Sequence, residues 1–282
     1  MSTQTAAIDS LKLGFLGPLG TFSQAAVIQH FGSHGILVDY PTIDEVFAAV
    51  ESKLVDFGVV PVENSTEGAI NNTQDCLVDA KTRIVGEEVV LIVHNLMAQQ
   101  GNSVANIGTI ASHKQSLAQC RKWLAKNLPR IKLLECASNA EAARLALHDS
   151  SVAAIAGTIA ADTYGLAILQ SAIQDQAHNS TRFLVLGNAD AEATGRDKTS
   201  ILVYTENKPG ALFRVLQPFE ELQISLTKIE TRPSKKEAWE YVFFIDFEGH
   251  RQEAKIQTLF ARLQTCTAEV KILGSYPLAK TR

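Results

Sequence analysis

The feature that most constrains this chain is the alternation of short apolar runs with helical segments over its first two thirds. The apolar runs at residues 11–16 and 36–40 are each followed by a segment with helical content. Strands that alternate with helices predict an α/β fold with mostly parallel sheets. The pattern starts again near residue 107, after a strong apolar run at 89–93. Two such units joined by crossing strands would form two lobes, and clefts of that kind commonly bind ligands.

Local signals predict where some elements begin and end. Thr42 with Glu45 and Ser138 with Glu141 are capping-box patterns, which start helices. We also predict a strand at 57–60 that ends at Pro61, a helix at 68–80, a strand at 107–110 and one helix at 114–128.

The last part of the chain is predicted to be a separate module. Residues 188–198 show no apolar periodicity and are interpreted as a linker. The elements that follow have the order βαββαβ, which predicts a ferredoxin-like α+β sandwich. The predicted domains are 11–187 (lobe 1 about 11–90 and 170–187; lobe 2 about 91–169), the linker 188–198 and the module 199–278.

Composition indicates a soluble, cytoplasmic protein. A length of 282 residues predicts about two domains, and the net charge of -4 does not suggest a nucleic-acid or membrane partner. Four widely spaced cysteines argue for reduced thiols and against a zinc site. The N-terminus lacks the basic and apolar regions of a signal peptide, and the most apolar stretch, 152–161, is too short to span a bilayer.

Four polar clusters are predicted to meet at one site. Each lies at a predicted strand end or helix start, where the ligand edge of an open α/β sheet is found. They are Gly17–Ser23, Pro61–Gly68, Ser112–Gln115 with Gln119, and Asn179–Phe183. Taken singly, each cluster could be an ordinary turn or cap. Together their hydroxyls and amides favour a site that holds an anionic substrate and stabilises developing charge.

Other chemistries are weakly supported. Gly14, Gly17 and Gly20 do not have the G-x-G-x-x-G spacing of a dinucleotide site. Cys120 is interpreted as a core residue, because no general base is evident beside it. No catalytic triad order or metal-ligand spacing is present in the sequence.

The four clusters, in this order, resemble the sequence blocks of the prephenate dehydratases, and the resemblance extends over nearly the whole chain. The monofunctional members of the family are two-lobed enzymes, similar to type II periplasmic binding proteins, with a C-terminal ACT regulatory domain. The resemblance implies conversion of prephenate to phenylpyruvate, water and carbon dioxide in L-phenylalanine biosynthesis, without a cofactor or metal. One departure is Lys114, where the family often has proline.

The resemblance also implies roles for individual residues. The expected catalytic residues are Thr181, Asn64, Ser112 and Gln119, with Thr181 assisting departure of the ring hydroxyl. The expected substrate-binding residues are Thr21, Ser23, Glu63, Ser65, His113, Arg182 and Phe183. Thr21 and Ser23 also stand at a predicted helix start, where hydroxyls and free backbone N–H groups can bind a carboxylate.

The C-terminal module resembles ACT domains through Gly210-Ala211-Leu212 and Ile229-Glu230-Thr231-Arg232-Pro233. The resemblance implies feedback inhibition by L-phenylalanine, bound between the modules of a homodimer or homotetramer. The expected contacts are Asn207, Gly210, Ala211, Leu212, Glu230, Thr231, Arg232 and Pro233.

Three alternatives stay open at this stage. The substrate could be arogenate, which carries an amino group where prephenate has a keto group. The two lobes could form a binding module without catalysis. The C-terminal module could be a dimerisation domain without a ligand.

Overall fold

The computed structural model describes residues 10–206, 208–233 and 241–279. The chain forms two compact units. The first comprises the described residues up to Gln74 together with Glu88–Phe183, and the second comprises Asp75–Glu87 and the described residues from Leu184 onward.

The elements up to residue 187 build two sheets. The strands are β1 (Lys12–Leu16), β2 (Ile36–Tyr40), β3 (Phe57–Asn64), β4 (Gly68–Ala69), β5 (Arg83–Leu91), β6 (Asn95–Ala98), β7 (Thr109–His113), β8 (Lys132–Cys136), β9 (Val152–Ala156), β10 (Ala167–Gln170) and β11 (Ser180–Gly187). The helices are α1 (Phe22–Phe31), α2 (Ile43–Glu51), α3 (Asn71–Asp79), α4 (Lys114–Gln119), α5 (Arg121–Asn127), α6 (Asn139–His148) and α7 (Thr158–Tyr164), with a 3-10 turn at Val104–Asn106.

Each sheet forms the centre of one lobe. The first has the order β2-β1-β3-β11-β5 with β4 beside β3, and the second has the order β10-β6-β9-β7-β8. β1 is parallel to β2 and β3, and β7 is parallel to β8 and β9. β4, β6 and β10 pair antiparallel with their neighbours. The two-lobed α/β prediction is confirmed, and the antiparallel pairings of β4, β6 and β10 depart from the expected parallel arrangement.

The predicted capping boxes explain two helix starts. The Thr42 hydroxyl accepts from the backbone N–H of Glu45 at 3.2 Å, and the Ser138 hydroxyl accepts from that of Glu141 at 3.0 Å. Small residues allow α6 to pack closely on the second sheet. β9 is buried along its length and packs against the alanines of α6.

Pairing extends β3 beyond Pro61, where the sequence predicted its end. β1 pairs with β3 only as far as Val59, so the missing N–H of Pro61 loses no hydrogen bond to β1. β3 then continues to Asn64, which pairs with Gly68 of β4. The predicted helix at 68–80 therefore begins later, at Asn71.

The predicted helix at 114–128 is two helices, α4 and α5. The Gln119 carbonyl accepts from the backbone N–H of Asp175 at 2.7 Å. The Asp175 carboxylate in turn accepts from the backbone N–H groups of Lys122 and Trp123 at 2.9 and 3.1 Å, which caps α5. The preceding strand lies at Thr109–His113, so Ser112 and His113 belong to the end of β7.

The second unit contains the C-terminal sandwich. Its strands are β12 (Asp197–Tyr204), β13 (Leu226–Pro233), β14 (Tyr241–Glu248) and β15 (Glu269–Pro277), and its helices are α8 (Ala211–Glu221) and α9 (Ala254–Cys266). The order β13-β14-β12-β15, antiparallel throughout, confirms the predicted ferredoxin-like βαββαβ fold. The apolar faces of α8 and α9 pack on the sheet through residues such as Val215, Phe219 and Leu259.

Residues Asp75–Glu87 pack within this second unit. The Lys198 ammonium donates to both carboxylate oxygens of Glu87 at 2.9 Å, and both side chains are buried. The Lys271 ammonium donates to the carbonyls of Leu77 and Val78 near the C-terminal end of α3. Such a lysine satisfies carbonyls that have no partner inside the helix.

Two kinds of feature are absent from the described residues. None of the helices they form combines the length and hydropathy needed to cross a membrane. Within the same residues, no three His, Cys, Asp or Glu side chains are grouped so that they could bind a metal ion.

Candidate active site

A cavity of about 520 Å³ lies in the first unit, between the two lobes. It is bounded by the ends of β1, β3 and β7, by the starts of α1, α4 and α6, and by β11. Its polar lining residues are Thr21, Ser23, Asn64, Glu67, His94, His113, Gln115, Ser116, Gln119, Ser138, Asn139, Asn179 and Thr181. The four polar clusters of the sequence therefore meet at one cavity.

The Asn64 amide has all its hydrogen-bonding atoms occupied. Its Nδ2 donates to Asn179 Oδ1 and to Thr181 Oγ1, both at 2.9 Å. Its Oδ1 accepts from the backbone N–H groups of Thr66 and Glu67 at 3.0 and 3.2 Å, and from the Thr66 hydroxyl at 2.6 Å. The backbone N–H groups of Thr66 and Glu67 can donate only to the amide oxygen, so the amide nitrogen is the atom that faces Thr181.

The Thr181 hydroxyl is oriented by that contact. Its oxygen accepts from Asn64, and among the described residues no acceptor receives its hydrogen. The side chain is 8% exposed and lines the cavity. Its hydrogen is therefore available to a bound molecule.

Asn139 connects several residues on the side of the cavity formed by the second lobe. Its Oδ1 accepts from the Ser116 hydroxyl at 2.9 Å and from the backbone N–H of His113 at 3.1 Å, and it lies 3.0 Å from the Ser112 hydroxyl. Because the oxygen is used in this way, the Nδ2 group is the part of the amide left to donate. It has no acceptor within the described part of the chain, and Asn139 lines the cavity.

His94 and Gln119 form a pair at the floor of the cavity. His94 Nε2 lies 2.7 Å from Gln119 Oε1, and the His94 ring packs edge-on against Phe22 with 5.7 Å between centroids. Burial lowers the pKa of His94, and the hydrogen bond to Gln119 opposes that shift. His94 is therefore neutral near pH 7.

The electrostatics of the cavity come from neutral donors. Glu67 is the one carboxylate among the described residues that line it, and none of those lining residues is Lys or Arg. α1 begins at the cavity, and Thr21 supplies no side-chain cap to its first-turn N–H groups. Uncapped N–H groups at a helix N-terminus stabilise a bound anion.

The structure brings seven of the eleven predicted site residues to the cavity. These are Thr21, Ser23, Asn64, His113, Gln119, Thr181 and Phe183. The other four predicted residues, Ser112, Glu63, Ser65 and Arg182, do not line it.

Those four residues have structural contacts instead. The fully buried Ser112 hydroxyl lies 2.6 Å from the Ile155 carbonyl and 3.0 Å from Asn139 Oδ1. The Ser65 hydroxyl accepts from the backbone N–H of Ser180 at 2.9 Å. Glu63 pairs with β4, and Arg182 lies half-buried within β11. These residues position the walls of the cavity.

Sequence reasoning missed several lining residues, notably His94, Ser116, Ser138 and Asn139. Ser138 was interpreted only as a helix cap. Ser138 nevertheless lies between a strand and a helix, and this position is the sequence feature that identified the other clusters. His94 lies between β5 and β6 and carries no comparable local signal.

The predicted phenylalanine-binding residues lie at two places in the second unit. Gly210–Leu212 form the start of α8, and Glu230–Pro233 form the end of β13. Leu212 and Thr231 are exposed, whereas Arg232 donates from Nη2 to Asp75 Oδ1 at 2.6 Å. Asn207 lies outside the described residues.

Sequence comparisons identify both parts of the chain. The prephenate dehydratase family model matches residues 13–191, and the ACT domain model matches residues 199–263. A bifunctional chorismate mutase/prephenate dehydratase from Neisseria gonorrhoeae is 47% identical over 281 residues, which are 99% of this chain and 78% of that protein.

Solved structures resemble the chain along nearly its full length. A prephenate dehydratase from Arthrobacter aurescens, solved in complex with L-Phe, has a TM-score of 0.87 and 32% identity, covering 95% of this chain and 90% of that one. GqqA, a quorum quenching acylase, has a TM-score of 0.86 and 25% identity, covering 95% and 97%.

Proposed function

The chain belongs to the prephenate dehydratase family, and we propose that the cavity of its first unit converts prephenate to phenylpyruvate, water and carbon dioxide in L-phenylalanine biosynthesis. The observation that best supports this proposal is the orientation of the Thr181 hydroxyl. Its oxygen accepts from Asn64 Nδ2 at 2.9 Å, so its hydrogen can be donated to a leaving oxygen in the cavity.

The reaction needs a donor at that point. The bond between the ring and its carboxylate breaks, and its electron pair enters the ring as carbon dioxide leaves. The ring carbon–oxygen bond breaks at the same time, and the departing oxygen takes up a proton to become water. Thr181 donates a hydrogen bond to this oxygen or relays a proton from water, because a threonine hydroxyl is too weak an acid to give up its own proton outright. Aromatisation of the ring supplies the driving force.

Substrate binding requires donors for two carboxylates. We assign the first carboxylate to the start of α1, where backbone N–H groups and the Ser23 hydroxyl can donate to it. Thr21 would contribute by exchanging its 3.3 Å hydrogen bond to the Leu16 carbonyl for one to the substrate. We assign the other to the amide nitrogens of Gln119 and Asn139 on the opposite lobe, which have no acceptor within the described part of the chain. Hydrogen bonds to charged groups are stronger than those between neutral groups, so a cavity without cationic side chains can still bind a dianion.

The test is turnover by the purified protein, with prephenate and arogenate supplied separately. Formation of phenylpyruvate from prephenate supports the proposal. Formation of phenylalanine from arogenate alone would retain the site and change the substrate. A folded protein that turns over neither compound would favour the non-catalytic binding module.

A second candidate function follows from the similarity to GqqA, the quorum quenching acylase. Acyl transfer commonly uses a serine or threonine activated by a histidine. Among the described residues, no serine or threonine hydroxyl is hydrogen-bonded to His94 or His113, the two histidines that line the cavity. Incubation with an N-acyl homoserine lactone should therefore release no free fatty acid, and release of fatty acid at a rate comparable with prephenate turnover would favour the acylase.

We propose further that L-phenylalanine binds to the ACT domain and inhibits the enzyme. The Arthrobacter aurescens relative was solved with L-Phe. Of the described residues predicted to contact the ligand, Gly210, Leu212, Thr231 and Pro233 are exposed, which agrees with a site completed by a second subunit. Leu212 and Phe213 add exposed apolar surface at the start of α8. Light scattering of the purified protein, with and without L-phenylalanine, tests whether the assembly is a homodimer or a homotetramer.

A contact of Arg232 suggests how the ligand could act on catalysis. Arg232 pairs with Asp75 of α3, and α3 follows directly on residues 68–70, which line the cavity. A ligand that draws Arg232 away would release α3. Asp75→Asn should therefore lower the uninhibited rate and lower the phenylalanine concentration for half-inhibition, because the ion pair with Arg232 no longer opposes the released state. An inhibition curve and rate identical to wild type would contradict this route.

A further inference from the structure

His94 is held rigidly where the chain passes from one sheet to the other. Its side chain is 1% exposed, and its backbone N–H donates to Gln174 Oε1 at 3.0 Å. Its backbone carbonyl accepts from Ile173 at 2.8 Å. The ring contacts Phe22 from one lobe and Gln119 from the other. These contacts place the ring between the two lobes.

The partners of the ring determine where its proton lies. His94 Nε2 lies 2.7 Å from the Gln119 amide, where it can donate to the amide oxygen or accept from the amide nitrogen, depending on which ring nitrogen carries the proton. Nδ1 is buried and has no hydrogen-bond partner among the described residues. A proton there would be a buried, unsatisfied donor, whereas a lone pair in the same place costs less. The proton of the neutral ring therefore lies on Nε2, which donates to the Gln119 oxygen. The lowered pKa of His94 agrees with a neutral ring.

We propose that His94 is a positioning residue that fixes the Gln119 amide with its oxygen toward His94 and its nitrogen toward the cavity, where it binds a substrate carboxylate. The reversed amide would present its oxygen to an anion and repel it. This inference rests on the proposed dehydratase function, because it needs an anionic substrate at Gln119.

The kinetic test is a double-mutant cycle in prephenate turnover. His94→Phe keeps an aromatic ring beside Phe22 and removes the donor, so kcat/KM should fall about 10- to 100-fold. The loss should come mainly from a higher KM, because Gln119 is proposed to bind the substrate. His94→Gln offers an N–H at a similar reach and should recover most of kcat/KM.

The same His94→Phe change is then made in a Gln119→Leu background. If His94 acts through Gln119, this second comparison should show less than about a twofold effect, because the two residues are coupled. Equal losses in both backgrounds would show that His94 acts independently. Circular dichroism of each variant confirms that the comparison is made between folded proteins.

A spectroscopic measurement tests the geometry without turnover. Two-bond proton–nitrogen correlations of the histidine rings identify the His94 tautomer, and the signal is assigned by its loss in His94→Gln. An Nε2–H tautomer supports the inference, and an Nδ1–H tautomer overturns it whatever the activity. Wild-type protein that does not turn over prephenate would instead overturn the proposed function.

Discussion

Replacing Thr181 by valine separates the chemistry of this residue from its contribution to folding. Valine keeps the shape of the side chain, which is 8% exposed. The lost hydrogen bond from Asn64 Nδ2 is partly compensated, because the Ser180 carbonyl lies 3.3 Å from the same nitrogen. We therefore expect the free energy of unfolding to fall by only about 1 kcal/mol, which lowers Tm by about 2–4 °C for a unit of this size.

The effect on catalysis should be much larger. Removing one donor that stabilises developing charge typically lowers kcat about 10²- to 10³-fold, equivalent to about 2.7–4 kcal/mol. KM should change little, because the ring hydroxyl develops its charge only in the transition state. The two free-energy changes therefore differ by more than 1 kcal/mol, which initial rates of phenylpyruvate formation and thermal unfolding can resolve.

Thr181→Ser is the matched control, because it keeps the hydroxyl and removes only a methyl group. We expect its kcat to stay within about tenfold of wild type, since the donor is retained. A valine variant with near wild-type kcat would refute the role of the hydroxyl. A serine variant as slow as the valine variant would show that shape, and not the hydroxyl, is what Thr181 contributes.

Three further predictions concern packing and charge. Gly157→Ala places a Cβ 2.8 Å from a ring carbon of Phe22, so we expect a loss of about 1–3 kcal/mol in stability and a higher KM, measured by thermal unfolding and initial rates. His94 has a lowered folded-state pKa, so the unfolded chain binds more protons below about pH 6.5, and the free energy of unfolding should fall as the pH drops through that value. Lys198→Ala leaves the buried Glu87 carboxylate without its ammonium partner, which should cost about 3–5 kcal/mol in denaturant unfolding.

Each of these predictions has a control. Gly108→Ala adds a Cβ that meets nothing closer than 3.9 Å, so it should leave Tm and KM unchanged. His94→Gln should reduce the dependence of stability on pH, and an unchanged dependence would assign it to other groups. Replacing both Lys198 and Glu87 by apolar residues should recover stability lost in Lys198→Ala, because no unpaired charge stays buried.

The fold was predictable wherever neighbouring residues determine it. The capping boxes at Thr42 and Ser138 start α2 and α6 as expected, because a cap satisfies the first N–H groups of its own helix. The break at Cys120 was not predictable from its surroundings. It depends on Asp175, which is distant in sequence. The backbone N–H of Asp175 donates to a carbonyl of α4, and its carboxylate accepts from N–H groups of α5.

The same distinction applies to the cavity. Residues such as Thr21, Asn64 and Thr181 could be predicted because each stands in a polar cluster at an element end, where sheets of this kind bind ligands. His94 could not, because its environment depends on Gln119, which lies 25 residues further along the chain. Ser112 shows the reverse case: it belongs to a polar cluster, yet its fully buried hydroxyl bonds within the protein.

The orientation of the side-chain amides connects these observations. The amide oxygens of Asn64, Asn139, Asn179 and Gln119 all accept from protein groups. For Asn139, Asn179 and Gln119, the amide nitrogen has no acceptor among the residues that the structure describes, and all three side chains line the cavity. Composition alone would describe such a lining as polar and neutral. The hydrogen bonds behind it make it a set of donors, which is what an anionic substrate requires where neither Lys nor Arg is among the described lining residues.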